Sequence, residues 1–100
     1  MIMNNNKSTN HNMETMSKQE LIKKLKADNL PVIIYGAGAT GQVLYHACIQ
    51  SGIVVESFCD DNIKKDGAFL FETEIIHLSK IKERYPDANW LISAADIHDI

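Results

Sequence analysis

Apolar residues fall along the chain in blocks that predict short strands separated by helices. Residues Val32–Tyr35 form a continuous β-branched and aromatic run, typical of a strand covered on both faces of a parallel sheet. Between residues 39 and 50 the apolar period becomes helical, and Gly52 follows where a helix commonly ends. A second strand-like run occupies residues 53–59. Strand, helix and strand within about thirty residues predict a βαβ unit with a right-handed crossover.

The segments around this unit predict a helix before it, and a hairpin, a helix and a strand after it. The run from Ser17 to Glu20 matches a capping box, in which serine and glutamate satisfy each other's backbone donors at a helix start. Pro31 marks the end of that helix. The later elements are strand-like pieces at residues 69–71 and 75–77, a helix at 79–85 capped by Ser79, and a strand at 90–93. The predicted fold class is therefore α/β: a Rossmann-like, three-layer fragment of a doubly wound fold, with a parallel sheet and a small hairpin.

Composition divides the chain into three parts. Residues 1–16 are rich in asparagine and too poor in apolar side chains to offset the entropy of ordering them, so we expect a disordered tail. Residues 17–30 form the N-terminal helix, and residues 31–100 the Rossmann-like domain. Because residues 97–100 resemble the first turn of another helix, we expect this domain to be truncated at its C-terminus. Its expected partners are a downstream domain of the same protein and a second copy in a homo-oligomer.

The overall composition excludes several classes of protein. With 100 residues, 45% of them hydrophobic, and a formal net charge of −3, the chain has the size and balance of one globular domain. Scattered lysines argue against nucleic acid as the main partner. No apolar run approaches the ~18 residues of a membrane span, and no signal peptide is present, so we expect a cytoplasmic location. Cys48 and Cys59 lie in apolar segments without metal-ligand spacing, which predicts buried thiols and no metal.

A Gly-x-Gly-x-x-Gly motif occupies residues 36–41, between the first predicted strand and its helix. In this context the first glycine permits a tight turn, the second lets phosphates approach the backbone, and the third lets the helix pack closely on the strand. The helix N-terminus presents free N–H groups and a partial positive charge to an anion. The alternative is a glycine-rich turn kept only for packing. The expected phosphate-binding residues are Gly36, Gly38, Ala39, Thr40 and Gly41.

Acidic residues follow the second predicted strand. Asp60 stands about twenty positions beyond the last glycine, where a carboxylate commonly accepts hydrogen bonds from a ribose hydroxyl. It would also repel a 2′-phosphate, which favours NAD over NADP. Asp61 is a second ligand-binding candidate, and the alternative is that both belong to a polar turn with Asn62. Ser93 and Asp96 come at the carboxyl end of the last strand, the edge at which open α/β sheets bind ligands, and we expect Ser93 to contact the ligand.

No proton-transfer constellation is visible in the sequence. His77 and His98 are single histidines without metal-ligand spacing or a neighbouring nucleophile, so hydrogen-bonding or solvated roles are expected for both. Trp90 is expected in the core. We therefore expect no catalytic residue in this segment when it stands alone.

Residues 33–41 and 55–62 resemble the small Rossmann domain at the N-terminus of bacterial sugar-nucleotide enzymes of surface-polysaccharide synthesis. That group includes sugar acyltransferases with a left-handed β-helix and membrane-anchored nucleoside-diphosphate-sugar dehydratases and epimerases. Similar domains form the NAD-sensing parts of redox repressors and precede methyltransferase modules. The resemblance covers roughly residues 31–96, but residues 69–74 lack the second glycine usual in the hairpin.

The resemblance implies a UDP-sugar or a dinucleotide along the glycine loop, with Asp60 and Asp61 near the base or ribose. NAD or NADP would be the cofactor, or a UDP-sugar the ligand, and the complete protein would be an acyltransferase or a dehydratase/epimerase. Three functions stay open: a nucleotide-binding domain of a glycan-biosynthesis protein, an NAD(H)-sensing regulatory domain, and a dimerisation module that binds nothing.

Overall fold

The computed structural model describes residues 2–3 and 17–92. Within these residues the chain forms three α-helices, six strands and one 3₁₀ turn. The helices are α1 (Lys18–Asp28), α2 (Ala39–Gln50) and α3 (Leu78–Arg84), and the 3₁₀ turn is Ile63–Lys65. The strands are β1 (Ile2–Met3), β2 (Val32–Tyr35), β3 (Val55–Asp60), β4 (Phe69–Leu70), β5 (Thr73–His77) and β6 (Asn89–Leu91). No helix among the described residues is long and apolar enough to cross a membrane.

The strands form one sheet in the order β1-β6-β2-β3-β5-β4. Strand β2 pairs in parallel with β3 on one side and with β6 on the other, and β3 pairs in parallel with β5. The antiparallel strands β1 and β4 lie at the two edges. The predicted arrangement, with β2 central between parallel neighbours, is confirmed.

The connections between the parallel strands reverse direction at β2. The chain runs from β2 to β3 and on to β5, and then returns to the opposite side of β2 as β6. This reversal is a topological switch point, and all four parallel strands end at the same edge of the sheet. In open α/β sheets, ligands bind outside the carboxyl ends of the strands at such a point.

The sheet is covered on both faces, which confirms the three-layer α/β class. Successive residues of a strand point to opposite faces, and β2 shows this within its own buried residues. Ile34 packs with Leu25 of α1 and Cys48 of α2, whereas Ile33 packs with Ile81 of α3. The uninterrupted apolar run of β2 therefore reflects burial on both sides.

Helix ends follow local side-chain chemistry. The predicted capping box is confirmed: Ser17 Oγ accepts the Glu20 N–H at 3.1 Å, and Glu20 Oε1 accepts the Ser17 N–H at 3.0 Å. The prediction that Ser79 caps α3 is wrong. His77 is the capping residue, and its Nδ1 accepts the N–H of Ser79 at 3.1 Å, so the helix begins one residue earlier than expected.

The β4–β5 hairpin closes without the glycine that its turn would favour. Phe71 and Glu72 both adopt left-handed conformations, with φ of 53° and 64°, between the paired residues Leu70 and Thr73. The aromatic ring of Phe71 stacks on Tyr45 of α2 with centroids 4.9 Å apart. This packing, together with the hydroxyl of Tyr45 donating to the Phe71 carbonyl at 3.4 Å, offsets the cost of the conformation.

Two predictions concern the two ends of the chain. Strand β1 was not expected, since it lies in the segment predicted to be a disordered tail, yet Ile2 pairs with Leu91 and Met3 with Trp90. For residues 4–16, which lie outside the described residues, the disordered tail stays a prediction. The same is true of the additional helix expected at residues 97–100.

Candidate functional site at the glycine loop

The glycine loop turns sharply away from the end of β2. Gly36 adopts a φ of +99°, a conformation that residues with a Cβ rarely take. Its N–H donates a 2.6 Å hydrogen bond to the carbonyl of Cys59 in the neighbouring strand β3. Gly36 is therefore placed as predicted, at the tight turn.

Gly41 lies where α2 crosses the start of the loop. A Cβ built on Gly41 would overlap the carbonyl oxygen of Gly36 and would lie 2.9 Å from its carbonyl carbon. Because the obstacle is backbone and not a flexible side chain, no other residue fits without moving the helix. The predicted role of Gly41 in close helix packing thus has a direct counterpart in the structure.

Gly38 differs from the other two glycines because neither its conformation nor its packing requires glycine. Its φ is −89°, and a Cβ built on it would meet no atom within 4 Å. It is the N-cap of α2, and it supplies no side-chain cap to that helix. Ala39 and Thr40 follow in the first turn, both exposed, and that turn contains no acidic residue. Free N–H donors of a helix start therefore face open space at this point.

Asp60, at the end of β3, is engaged with the glycine loop. Only 8% of the residue is exposed. Its Oδ2 accepts the N–H of Ala37 at 2.9 Å, and its Oδ1 accepts the N–H of Asn62 at 2.9 Å. The ammonium of Lys65 lies 3.6 Å from Oδ2. Burial by itself raises the pKa of Asp60, but the two backbone hydrogen bonds and the charge of Lys65 outweigh it and hold the pKa below its ordinary value.

Asp61 is exposed, and its backbone is held by the next strand. Its carbonyl oxygen lies 3.2 Å from Nε2 of His77, the last residue of β5. Since a carbonyl only accepts hydrogen bonds, this contact fits a proton on Nε2, while Nδ1 accepts from the Ser79 N–H at 3.1 Å. Both ring nitrogens of His77 thus make hydrogen bonds within the protein, as predicted for this histidine.

The polar residues after β3 also form a turn, so the two alternatives offered for them coexist. Asn62 caps the 3₁₀ turn by accepting the N–H of Lys64 at 3.0 Å. The sequence did not reveal the roles of Ala37 and Lys65. Ala37 takes part through its backbone N–H, which carries no residue-specific signal, and Lys65 reaches Asp60 because the turn folds back on the strand end.

Other predicted positions either lie outside the site or outside the described residues. Ser93, Asp96 and His98 belong to residues 93–100, which are not described, so the ligand contact of Ser93 stays a prediction. Within residues 2–3 and 17–92, no group of three or more His, Cys, Asp and Glu could hold a metal ion. Both predicted thiols, Cys48 and Cys59, are buried.

A groove of about 470 Å³ lies elsewhere, at the amino ends of β2 and β3. Apolar residues such as Leu30 and Val54 line it, with Lys26 and Glu56 as its charged residues. It is on the opposite edge of the sheet from the glycine loop. The loop is the better candidate for a functional site because free backbone donors and a topological switch point meet there.

Comparison with known protein families identifies the family of this chain. Residues 6–97 match the C-methyltransferase C-terminal domain. The chain belongs to this family. A C-methyltransferase C-terminal domain is thus built here as a Rossmann-like sheet with an open glycine loop. No curated protein matches the chain.

Two solved structures are similar to this C-methyltransferase C-terminal domain. One is a crystal structure of RSP in complex with beta-NADH, 26% identical, covering 66% of this chain and 33% of that chain, with a TM-score of 0.48. The other is a crystal structure of RSP, a Rex-family repressor, 25% identical, covering 78% of this chain and 38% of that chain, with a TM-score of 0.49. The chain therefore spans less than two fifths of the length of either protein.

Proposed function

We propose that this C-methyltransferase C-terminal domain binds a nucleotide whose phosphates sit against the glycine loop. The observation that carries the proposal is the open, uncapped start of α2 at Gly38, located at the switch point of the sheet. The other two described helices have side-chain caps, from Ser17 and His77, whereas α2 leaves its first N–H groups to an outside acceptor. Phosphate oxygens are strong acceptors that suit such a helix start.

The ligand we favour is a sugar nucleotide such as a UDP-sugar, held as the substrate of a protein of surface-glycan biosynthesis. The family name describes methyl transfer to carbon, which favours this chemistry over the acyl transfer, dehydration or epimerisation that the sequence resemblance implied. A nucleoside diphosphate would supply phosphates to Gly38 and a ribose to the acidic end of β3. The sugar would extend from the phosphates towards the switch point between β2 and β6.

In this proposal the domain holds the substrate, and a further domain of the same protein carries the methyl-transfer machinery. Among the described residues, the histidine nearest the loop-side edge, His77, already uses both ring nitrogens in hydrogen bonds within the protein. It is therefore not poised to take a proton from a substrate carbon.

NAD(H) is the second candidate ligand. The acidic end of β3 supports it, because a carboxylate there suits an unmodified ribose and disfavours a 2′-phosphate. In that case the domain would respond to the redox state of the nucleotide and act on an attached partner. NADP is disfavoured by the same argument.

Calorimetric titration with UDP-glucose, NAD and NADP tests the proposal, using the parent protein and Gly38→Val. The valine side chain would enter the space proposed for phosphate, and because its Cβ would meet no atom within 4 Å, the fold should persist while binding is lost. Ala27→Val is a matched control, since Ala27 is exposed on α1. We expect UDP-glucose to bind the parent and the control but not Gly38→Val.

The outcomes separate the candidates. Binding of NAD without UDP-glucose would favour the NAD(H) function over the sugar-nucleotide function. Equal affinities of the parent and Gly38→Val for the bound ligand would show that the loop is not the site. Failure of all three nucleotides to bind the parent would leave the dimerisation module as the surviving alternative.

A further inference from the structure

The carboxylate of Asp60 is engaged within the protein and has little exposed surface left for a ligand. Each of its two oxygens already accepts a backbone N–H, from Ala37 and from Asn62, both at 2.9 Å. Lys65 places its ammonium 3.6 Å from the oxygen that Ala37 uses. With 8% of the residue exposed, little of the carboxylate is open to a ribose hydroxyl.

These contacts instead fasten the glycine loop to the end of β3. Ala37 lies between the two glycines of the loop's first turn, and it is buried at 6% exposure. Its N–H is directed at Asp60, and the neighbouring Gly36 N–H is directed at the Cys59 carbonyl, so two successive loop amides are bound to successive residues of β3. The remaining amides at the start of α2 are thereby held in place for an anion.

Asp61 has the properties that Asp60 lacks. It is exposed and follows the strand end directly, and no hydrogen bond or ion pair of its carboxylate occurs among residues 2–3 and 17–92. Its main chain is nevertheless fixed, because its carbonyl contacts His77 Nε2 at 3.2 Å. A carboxylate that has no other partner and whose backbone is held in place is suited to accept a hydrogen bond from a ligand hydroxyl.

We propose that the two aspartates have different roles. Asp60, with Lys65, positions the phosphate-binding loop, and Asp61 accepts hydrogen bonds from the ribose hydroxyls of the nucleotide. The proposal rests on the proposed function, because it concerns the same nucleotide site. It assigns the hydrogen bonds to the ribose to Asp61 and not to Asp60, the residue at the usual sequence spacing. Asp60 is then a positioning residue and does not touch the ligand.

The test compares ribose and deoxyribose ligands, namely ADP with 2′-deoxy-ADP and UDP with 2′-deoxy-UDP. For each protein variant, calorimetry gives the ratio of the two affinities, which isolates the contribution of the hydroxyl. In the parent protein we expect the ribose form to bind roughly ten- to a hundred-fold more tightly, the range for a hydrogen bond to a charged acceptor. Asp61→Ala should bring this ratio close to one.

Asp60→Ala should behave differently. The variant offers no side-chain acceptor to the Ala37 N–H and no partner to the Lys65 ammonium, so the loop loses its fastening and both forms bind more weakly. The ratio between the ribose and deoxyribose forms should nevertheless stay as in the parent. Asp87→Ala, which removes an exposed carboxylate in the turn before β6, is the matched control and should change neither affinity nor ratio.

A second measurement follows the loop in the protein without ligand. The Ala37 amide should exchange hydrogen roughly ten-fold faster in Asp60→Ala than in the parent, and at the parental rate in Asp61→Ala. This result stands or falls independently of nucleotide binding. If none of the four nucleotides binds the parent, the role of Asp61 is overturned, the titrations with UDP-glucose, NAD and NADP decide the proposed function, and the exchange rates decide the role of Asp60.

The opposite pattern overturns the inference. A ratio that collapses in Asp60→Ala but persists in Asp61→Ala would return the ribose contact to Asp60. Because Asp61 is exposed, Asp61→Ala should fold even if Asp60→Ala does not, and its ratio by itself decides which carboxylate binds the ribose. An unchanged Ala37 exchange rate in folded Asp60→Ala would show that the loop does not depend on this side chain.

Discussion

Asp60 and Ala37, 23 positions apart in the chain, are joined by a buried hydrogen bond of 2.9 Å between a carboxylate oxygen and a backbone N–H. The bond links the end of β3 to the loop that leaves β2. It continues the pairing of β2 with β3 beyond the last paired residues, Tyr35 and Cys59. The shape of the loop therefore depends on a side chain from the second strand of the βαβ unit.

Gly41→Ala should destabilise the protein. The added methyl group would overlap the Gly36 carbonyl, and forcing atoms into a packed site typically costs about 1–3 kcal/mol. Gly38→Ala is the control, since its methyl group meets nothing and the loss of a glycine N-cap costs less than about 1 kcal/mol. Urea unfolding measures both. Equal losses of stability in the two variants would contradict the packing role of Gly41.

The ionisation of Asp60 should make stability depend on pH in the acid range. Because its pKa in the folded protein lies below the ordinary 3.8, the folded state favours the charged form. The resulting stabilisation is complete above the unfolded pKa and is lost as the pH falls through the folded pKa. Asp60→Asn should therefore lose less stability than the parent between neutral pH and pH values below 3.8.

Unfolding free energies over that pH range measure this difference. Asp28 and Asp66 also have lowered pKa values, so the parent and the variant will both lose stability in acid. The informative quantity is the gap between their two curves. Curves that run parallel throughout would show that Asp60 contributes no pH dependence.

The hairpin turn should respond in opposite ways to glycine at its two positions. Glu72→Gly removes a left-handed conformation from an exposed residue, and we expect stability to stay level or to rise. Phe71→Gly relieves the same conformation but also removes the stacking on Tyr45, so we expect a net loss of about 1 kcal/mol. Thermal unfolding of both variants checks this. A gain of stability in Phe71→Gly would show that the ring contributes little.

The two thiols should resist alkylation in the folded protein. Burial raises the pKa of Cys48 to about 11, and burial together with the charges of Asp60 and Asp61 raises that of Cys59 to about 12. The thiolate is the reactive form, so neither side chain should label with iodoacetamide near pH 8. Mass spectrometry before and after urea treatment measures this. Rapid labelling of either cysteine without denaturant would contradict its burial.

The parts of the fold that the sequence predicted are those governed by regular spacing. The apolar run of β2, the helical period of α2 and the glycines between them carry their structure in adjacent residues. The capping box at Ser17 is equally local. The start of α3 was misplaced because the capping acceptor is the ring nitrogen of His77, a residue that the sequence also suited to a strand.

Contacts between residues far apart in the sequence could not be predicted from it, for a physical reason. The spacing of Asp60 from the glycines predicted a ligand role, but its partners are backbone N–H groups and a lysine brought close by folding. Strand β1 depends on pairing with β6, some ninety positions away in a segment of low apolar content. Neither relationship leaves a periodic pattern for a sequence-based argument to detect.

Strand β1 also has a consequence for self-association. An unpaired strand at the edge of a sheet is a template for another chain, and β6 would be such an edge if β1 did not run along it. At the far edge, β4 is only two residues long and ends in a turn. In the described part of the chain, both edges of the sheet thus present few backbone groups with which a strand of a second copy could pair. If this domain forms dimers, we expect the contact to use helix surfaces, such as the part of α2 at which Val43 is exposed, and not a sheet continued across two chains.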